Sequence, residues 1–211
     1  MVIKAIIFDL GGVLVRTEDR GPRMQLAEQL GKTYDELSAL IFDSPSAQQA
    51  QLGEITTPQH WKAVRKTLEL SPTEFLDVPE DFWGGDTLDR TLVDYLRGLR
   101  PGYKTALLSN AWDDLRLIIE DYWHIDDAFD EMIISAEVGL VKPDARIYQL
   151  AISRLGVDPS EAVFLDDFPE NVIGARKVGL QAIDFKDRDQ ALADLNHLLD
   201  GSKSITETKD G

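Results

Sequence analysis

The stretch AVFLDD at 162–167 decides the fold, because an apolar run leads directly into two adjacent aspartates. A short apolar run of this kind predicts a buried β-strand. Similar runs are VIKAIIFD at 2–9, KTALLSN at 104–110 and EMIISAEVGLVKP at 131–143. A segment with helical periodicity follows each run. This alternation of strand and helix predicts a parallel sheet.

Reactive polar side chains follow these apolar runs. They are, in chain order, Asp9, Ser109, Asn110, Lys142, Asp166 and Asp167. Ligands of open parallel sheets bind beyond the carboxyl ends of the strands, so we expect these residues to converge at one edge. Carboxylates, a hydroxyl and an ammonium in one cleft indicate metal-assisted attack on a phosphate.

A long segment without a strand pattern separates the first run from the second. We interpret residues 16–85 as an inserted helical cap, since the segment is too long for a simple loop. The core then comprises residues 1–15 and 86–200, with Asp86 as the predicted N-cap of its next helix. The tail at 201–211 has few apolar residues and is predicted to be disordered. The predicted fold is α/β, a doubly wound parallel sheet of the Rossmann-like type carrying this cap.

Composition narrows the classes of partner. The 211 residues carry 38 acidic and 22 basic side chains, a net charge of −16, which repels nucleic acid and anionic membranes. There is no cysteine, which excludes disulfides and a thiol nucleophile. The N-terminal apolar run is only about seven residues, too short for a membrane span or a signal-peptide core. We therefore expect a cytoplasmic protein that binds neither nucleic acid nor membrane.

Asp9 is the candidate nucleophile. A carboxylate at a strand end can attack phosphorus and form an aspartyl-phosphate. The following glycines, Gly11 and Gly12, let the backbone approach a ligand closely. The alternative is an aspartate that merely begins the glycine turn.

The pair Asp166 and Asp167 indicates a cation. Two carboxylates about 4 Å apart repel each other by roughly 4 kcal/mol at an effective dielectric near 20. Adding Asp9 and a phosphate makes the cleft unstable without a cation, and Mg²⁺ is the hard ion that suits oxygen ligands. The alternative is that both acids cap the helix that follows.

Ser109, Asn110 and Lys142 are candidates for holding a phosphate. The Ser109 hydroxyl and the backbone N–H groups at the next helix start could bind phosphate oxygens. Serine and asparagine are also favoured as plain helix N-caps. Lys142 could neutralise both nucleophile and phosphate, or it could be a solvated lysine before Pro143.

Together these motifs resemble the haloacid dehalogenase-like hydrolase superfamily, over about residues 2–185. Within it, they are similar to the branch of sugar-1-phosphate phosphatases and the phosphatase domain of soluble epoxide hydrolase. The resemblance implies Asp9 as nucleophile, Lys142 as the residue that orients the phosphate, and a cap of the C1 type. It implies a phosphate site at Ser109, Asn110, Gly12 and Lys142, and a Mg²⁺ site at Asp9, the Gly11 carbonyl, Asp166 and Asp167, supported by Asn171.

One position departs from the family pattern. Phosphatases of the family usually carry a second aspartate two positions after the nucleophile, where this chain has Gly11. That aspartate transfers protons, a role typically worth about 10²–10⁴-fold in rate. The leading interpretation is a magnesium-dependent phosphatase acting on a small phosphorylated metabolite. The alternatives are a metal-independent dehalogenase and a degenerate member that binds phosphometabolites or a protein without turnover. The sequence indicates no oligomeric state.

Overall fold

The computed structural model describes residues 2–207, with side chains described as far as residue 201. The strands are, in chain order, β1 (Ala5–Phe8), β2 (Val15–Thr17), β3 (Asp86–Leu88), β4 (Lys104–Ser109), β5 (Glu131–Ile134), β6 (Ala162–Asp166) and β7 (Gln181–Asp184).

The α-helices are α1 (Gly21–Gln29), α2 (Tyr34–Phe42), α3 (Pro45–Gln51), α4 (Thr57–Thr67), α5 (Val78–Trp83), α6 (Arg90–Leu99), α7 (Leu115–Leu117), α8 (Ser135–Val138), α9 (Ala145–Leu155), α10 (Pro169–Lys177) and α11 (Arg188–Glu207). A π-helix at Ile118–Trp123 continues α7, and 3₁₀ turns lie at Asp126–Ala128 and Pro159–Glu161.

Five strands form one parallel sheet in the order β5-β4-β1-β6-β7. Successive side chains of a strand point to opposite faces of the sheet, so each face needs its own cover. Ile6 and Phe8 of β1 pack on one face with α6 and α11, whereas Ala5 and Ile7 pack on the other with α9 and α10. Helices therefore cover both faces, which confirms the predicted doubly wound α/β fold.

Helices α1–α5, which we call the helical insert, have a hydrophobic cluster of their own. Local sequence starts these helices. The Thr33 side chain caps α2 and Glu36 bonds back to the Thr33 N–H, and Ser44 caps α3 ahead of Pro45. Trp112, from the loop after β4, packs into the same cluster and joins the insert to the sheet.

The helix that follows the insert begins later than the sequence predicts. The chain enters and leaves the helical insert through β2 and β3, which pair antiparallel. Asp86 lies in β3 and does not cap a helix, because its Oδ1 accepts hydrogen bonds from Thr17 and Arg23 and holds the chain extended. The N-cap of α6 is Asp89, whose carboxylate accepts a backbone N–H three residues later at 3.0 Å.

The C-terminal segment also differs from the prediction. Helix α11 continues to Glu207, into the segment 201–211 that the sequence predicts to be disordered. Residues 208–211 lie outside the described part of the chain. The Asp187 carboxylate caps the start of α11 by accepting the Gln190 N–H at 2.9 Å. Extending a helix costs less than starting one, so a capped helix can run on into a polar segment. Within residues 2–207, no helix has the length and apolar character needed to cross a membrane.

Candidate active site

Asp9 lies immediately beyond the end of β1. Its backbone N–H donates to the Leu165 carbonyl at 2.9 Å, which extends the ladder with β6 and places Asp9 beside Asp166. Its Oδ1 accepts the Leu10 N–H at 2.7 Å and contacts Lys142 Nζ at 2.8 Å. No donor among the described residues bonds Oδ2. Asp9 therefore has one carboxylate oxygen held by the protein, and its Oδ2 is available to contact a ligand.

Asp166 is completely buried, and its carboxylate is surrounded by donors. Oδ1 accepts the Phe168 N–H at 2.8 Å and Asn171 Nδ2 at 3.0 Å. Oδ2 accepts Lys142 Nζ at 2.7 Å. Both carboxylate oxygens therefore accept hydrogen bonds, and through them Asp166 holds the side chains of Lys142 and Asn171 in place.

Asp167 completes a group of acids suited to a cation. One carboxylate oxygen from each of Asp9, Asp166 and Asp167 lies within 4.8 Å of the other two. Asp167 Oδ1 is buried and has no hydrogen-bond partner among the described residues. A buried charged oxygen without a partner is costly, and a bound cation would remove that cost.

The two glycines of the turn have different surroundings. Gly12 has a φ of +76°, and a Cβ at that position would lie 2.1 Å from Asp167 Oδ2. A Cβ at Gly11 would meet nothing within 4 Å. Gly12 is therefore required for the turn to pass Asp167, whereas Gly11 has room for a side chain.

The electrostatics of the cluster also favour a cation. Burial raises the pKa of Asp9 to about 7, an effect that Lys142 opposes and Asp166 increases. Burial, followed by the charge of Asp166, raises the pKa of Asp167 to about 6. Three ionised carboxylates against one ammonium leave an excess of negative charge that a divalent ion would balance. An all-oxygen donor set fits Mg²⁺.

Ser109 and Asn110 lie at the end of β4, as expected from the apolar run. Ser109 is buried at this edge. The Asn110 side chain forms two hydrogen bonds with the main chain of Lys142. It accepts the Lys142 N–H at 2.8 Å and donates to the Lys142 carbonyl at 3.0 Å. Lys142 itself is not at a strand end, since β5 ends at Ile134 and α8 follows. It nevertheless reaches the cluster through its Nζ.

Two further residues that the sequence did not single out support this edge. Ser135, the first residue after β5, accepts the Ala111 N–H at 2.9 Å and donates to the Ala111 carbonyl at 3.0 Å. The rule that marks polar residues at strand ends would have identified it. Asp113 accepts the N–H and hydroxyl of Thr57 at 2.8 and 2.6 Å. No sequence signal pairs these two residues, which are 56 positions apart.

The family model of haloacid dehalogenase-like hydrolases matches residues 3–179, and the chain belongs to that family. The predicted family resemblance is thereby confirmed.

Relatives of known activity include phosphatases. The chain is 28% identical to bifunctional epoxide hydrolase 2 of Rattus norvegicus over 92% of its own length, but it spans only 38% of that relative. It is 26% identical to D-ribitol-5-phosphate phosphatase of Bacteroides thetaiotaomicron, over 85% of this chain and 90% of the relative.

A solved structure of similar fold is a HAD family enzyme from Bacteroides thetaiotaomicron in complex with magnesium and inorganic phosphate. The two chains superpose with a TM-score of 0.71 at 24% identity, covering 87% of this chain and 94% of the other. This likeness concerns the fold.

Proposed function

We propose that this protein is a magnesium-dependent phosphatase that hydrolyses small phosphorylated metabolites through an aspartyl-phosphate on Asp9. The observation that carries the proposal is the group of three carboxylates near one buried lysine, in which Asp167 Oδ1 has no hydrogen-bond partner among the described residues. Phosphatase relatives support the same reaction class.

In the first step, Asp9 Oδ2 attacks phosphorus, and the bond from phosphorus to the leaving oxygen breaks. Lys142 lies 2.8 Å from the other oxygen of Asp9 and offsets charge as the nucleophile and the phosphate meet. Ser109, at the end of β4, provides a hydroxyl donor for a phosphate oxygen. A bound Mg²⁺, held by Asp9, Asp167 and the Gly11 carbonyl, with Asp166 direct or through water, would supply positive charge at the phosphoryl group.

In the second step, water attacks the phosphorus of the aspartyl-phosphate, which releases inorganic phosphate and regenerates the Asp9 carboxylate. Gly11 has no side chain to protonate the leaving oxygen or to activate this water. Solvent or a residue of the cap would then supply and accept these protons. The enzyme should consequently prefer substrates whose leaving oxygen is weakly basic, such as sugar-1-phosphates, acyl phosphates and aryl phosphates.

Residues 16–85 would act as the cap that covers the substrate and excludes water. Support comes from two contacts between this segment and the loop after β4. Trp112 packs among the apolar residues of the helical insert, and Asp113 bonds the first turn of α4 at Thr57. Trp112 and Asp113 lie two and three positions after Asn110, so the insert contacts the same loop that carries Asn110.

A dehalogenase of the same family is the first competing function. It would use Asp9 to attack carbon and would need no metal. The buried Asp166 and the half-buried Asp167, beside a metal-free nucleophile, would raise the pKa of Asp9 and weaken it as a nucleophile, so the acidic cluster argues against this reaction.

A protein that binds phosphometabolites without turnover is the second competing function. Gly11 favours it, because the missing acid would slow hydrolysis. The fixed geometry of Asp9 and Lys142 favours turnover, since a binding site has no need of a buried nucleophile.

A substrate panel separates the three functions. Phenyl and sugar-1-phosphates and a 2-haloacid are each incubated with Mg²⁺ or with a chelator. We expect phosphate release that requires Mg²⁺ and disappears in Asp9→Asn. Asp126→Asn, the same change at an exposed aspartate in the 3₁₀ turn before β5, is the matched control and should keep the activity. Chelator-resistant halide release would establish a dehalogenase, and no turnover of any substrate would refute the proposal.

A further inference from the structure

Asn110 uses both polar atoms of its side chain on one other residue. Its Oδ1 accepts the Lys142 N–H at 2.8 Å, and its Nδ2 donates to the Lys142 carbonyl at 3.0 Å. The two residues are 32 positions apart, so the bonds join the end of β4 to the loop before α9. This is a two-point clamp on the main chain of Lys142.

Lys142 needs such a clamp because no strand holds it. It lies in the loop between α8 and α9, yet its side chain is only 1% exposed. Its ammonium must remain 2.8 Å from Asp9 and 2.7 Å from Asp166 at once. If the loop shifted, the Lys142 ammonium would lose contact with one of the two carboxylates. That buried carboxylate would then lack its partner.

We propose that Asn110 is a positioning residue that fixes Lys142, and not a direct ligand of the phosphate. If the Asn110 amide turned towards a substrate, the N–H and carbonyl of Lys142 would both lose their hydrogen-bond partner. The inference revises the sequence-based expectation that Asn110 binds substrate. It rests on the proposed function in so far as Lys142 serves phosphoryl transfer.

A double-mutant cycle measured on kcat/KM tests whether Asn110 acts on catalysis through Lys142. kcat/KM for p-nitrophenyl phosphate with Mg²⁺ is measured for wild type, Asn110→Ala, Lys142→Ala and the double variant. Asn110→Ala should lower kcat/KM by about 10–100-fold, as loss of a supporting residue typically does. In the Lys142→Ala background it should cost no more than a further twofold or so. Equal losses in both backgrounds would mean that Asn110 contacts the substrate itself, and would overturn the inference.

A second measurement needs neither substrate nor metal. The free enzyme is acetylated briefly, and modification of Lys142 is followed by peptide mass spectrometry. Asn110→Ala should raise the modification rate of Lys142 several-fold, while Lys104, whose Nζ donates to the Leu155 carbonyl, serves as an internal reference with an unchanged rate. Asn196→Ala, which removes a hydrogen bond to Tyr95 far from the site, is the matched control.

Asn110→Asp provides an intermediate case. The carboxylate can still accept the Lys142 N–H but cannot donate to its carbonyl, so labelling should fall between wild type and Asn110→Ala. If Asn110→Ala does not fold, the Lys142 labelling rate of Asn110→Asp is compared with that of wild type instead. Wild-type labelling in the folded variants would refute the clamp. The labelling result stands even if the protein proves not to be a phosphatase, so the two proposals can fail separately.

Discussion

Replacing Gly12 with alanine should weaken Mg²⁺ binding, because the added methyl group would occupy the space of the Asp167 carboxylate. The ideal Cβ at position 12 lies 2.1 Å from Asp167 Oδ2 and 2.3 Å from Asp167 Cγ. Ordinary carbon contacts are about 3.5–4 Å, so the carboxylate would have to withdraw by more than about 1 Å. Asp167 is the acid whose Oδ1 has no protein partner in the described structure.

Two costs add in this variant. The left-handed backbone at Gly12, with φ of +76°, costs an alanine about 1–2 kcal/mol of folding free energy. The displaced Asp167 no longer presents its oxygen to the cation, and we expect Mg²⁺ affinity to fall at least about 10–100-fold, the typical loss when even a supporting residue of a metal site is removed. The second cost affects the metal alone and is the more specific test.

Gly11→Ala is the matched control. Its Cβ would meet nothing within 4 Å, and the substitution keeps the backbone carbonyl that we propose as a metal ligand. Mg²⁺ affinity is measured by calorimetry and the free energy of unfolding by urea titration for both variants. Gly11→Ala should bind Mg²⁺ like wild type. If Gly12→Ala also bound Mg²⁺ like wild type, Asp167 would not be a metal ligand and the assigned site would be wrong.

Two further predictions concern proton transfer and pH. Gly11→Asp should raise kcat/KM more for sugar-6-phosphate alkyl esters than for aryl phosphates, because it restores an acid where a Cβ has free space; equal gains on both would show that the proton comes from elsewhere. The folded-state pKa values of Asp9 and Asp167, about 7 and about 6, lie above the ordinary 3.8, so metal-free stability from these groups is greatest in acid and is lost as pH rises through 6–7. Mg²⁺ binds the ionised acids, so it should raise Tm more at about pH 8 than at about pH 5.5, and equal rises at the two pH values would contradict this. In Asp9→Asn the pH dependence of metal-free stability should become shallower.

The parallel sheet and most of the acidic edge follow from short apolar runs that end in charged residues. AIIF before Asp9 and AVFL before Asp166 are completely buried, and neighbouring strands in register bring the two acids side by side. Strand ends are predictable because burial on both faces demands continuous apolar residues, and a charge marks where burial stops.

The rule that apolar runs end in charged residues does not predict features that depend on tertiary contacts. Lys142 follows a short helix and a loop, and it is held at the site by tertiary contacts of its main chain with Asn110 and of its ammonium with Asp9 and Asp166. The helix begins after Asp89 and not, as the sequence predicts, after Asp86. The Asp86 carboxylate instead accepts hydrogen bonds from Thr17 and Arg23, which lie in a distant segment of the chain. A local pattern contains no information about such partners.

Trapping of the covalent intermediate tests the central claim most directly. The enzyme is mixed with p-nitrophenyl phosphate and Mg²⁺, quenched in acid, reduced with borohydride, and digested for mass spectrometry. An aspartyl-phosphate is reduced to homoserine, so we expect homoserine at position 9 in wild type and none in Asp9→Asn or with chelator. Continued phosphate release with Asp9 unmodified, or reduction at a different carboxylate, would contradict the assignment of Asp9 as the nucleophile.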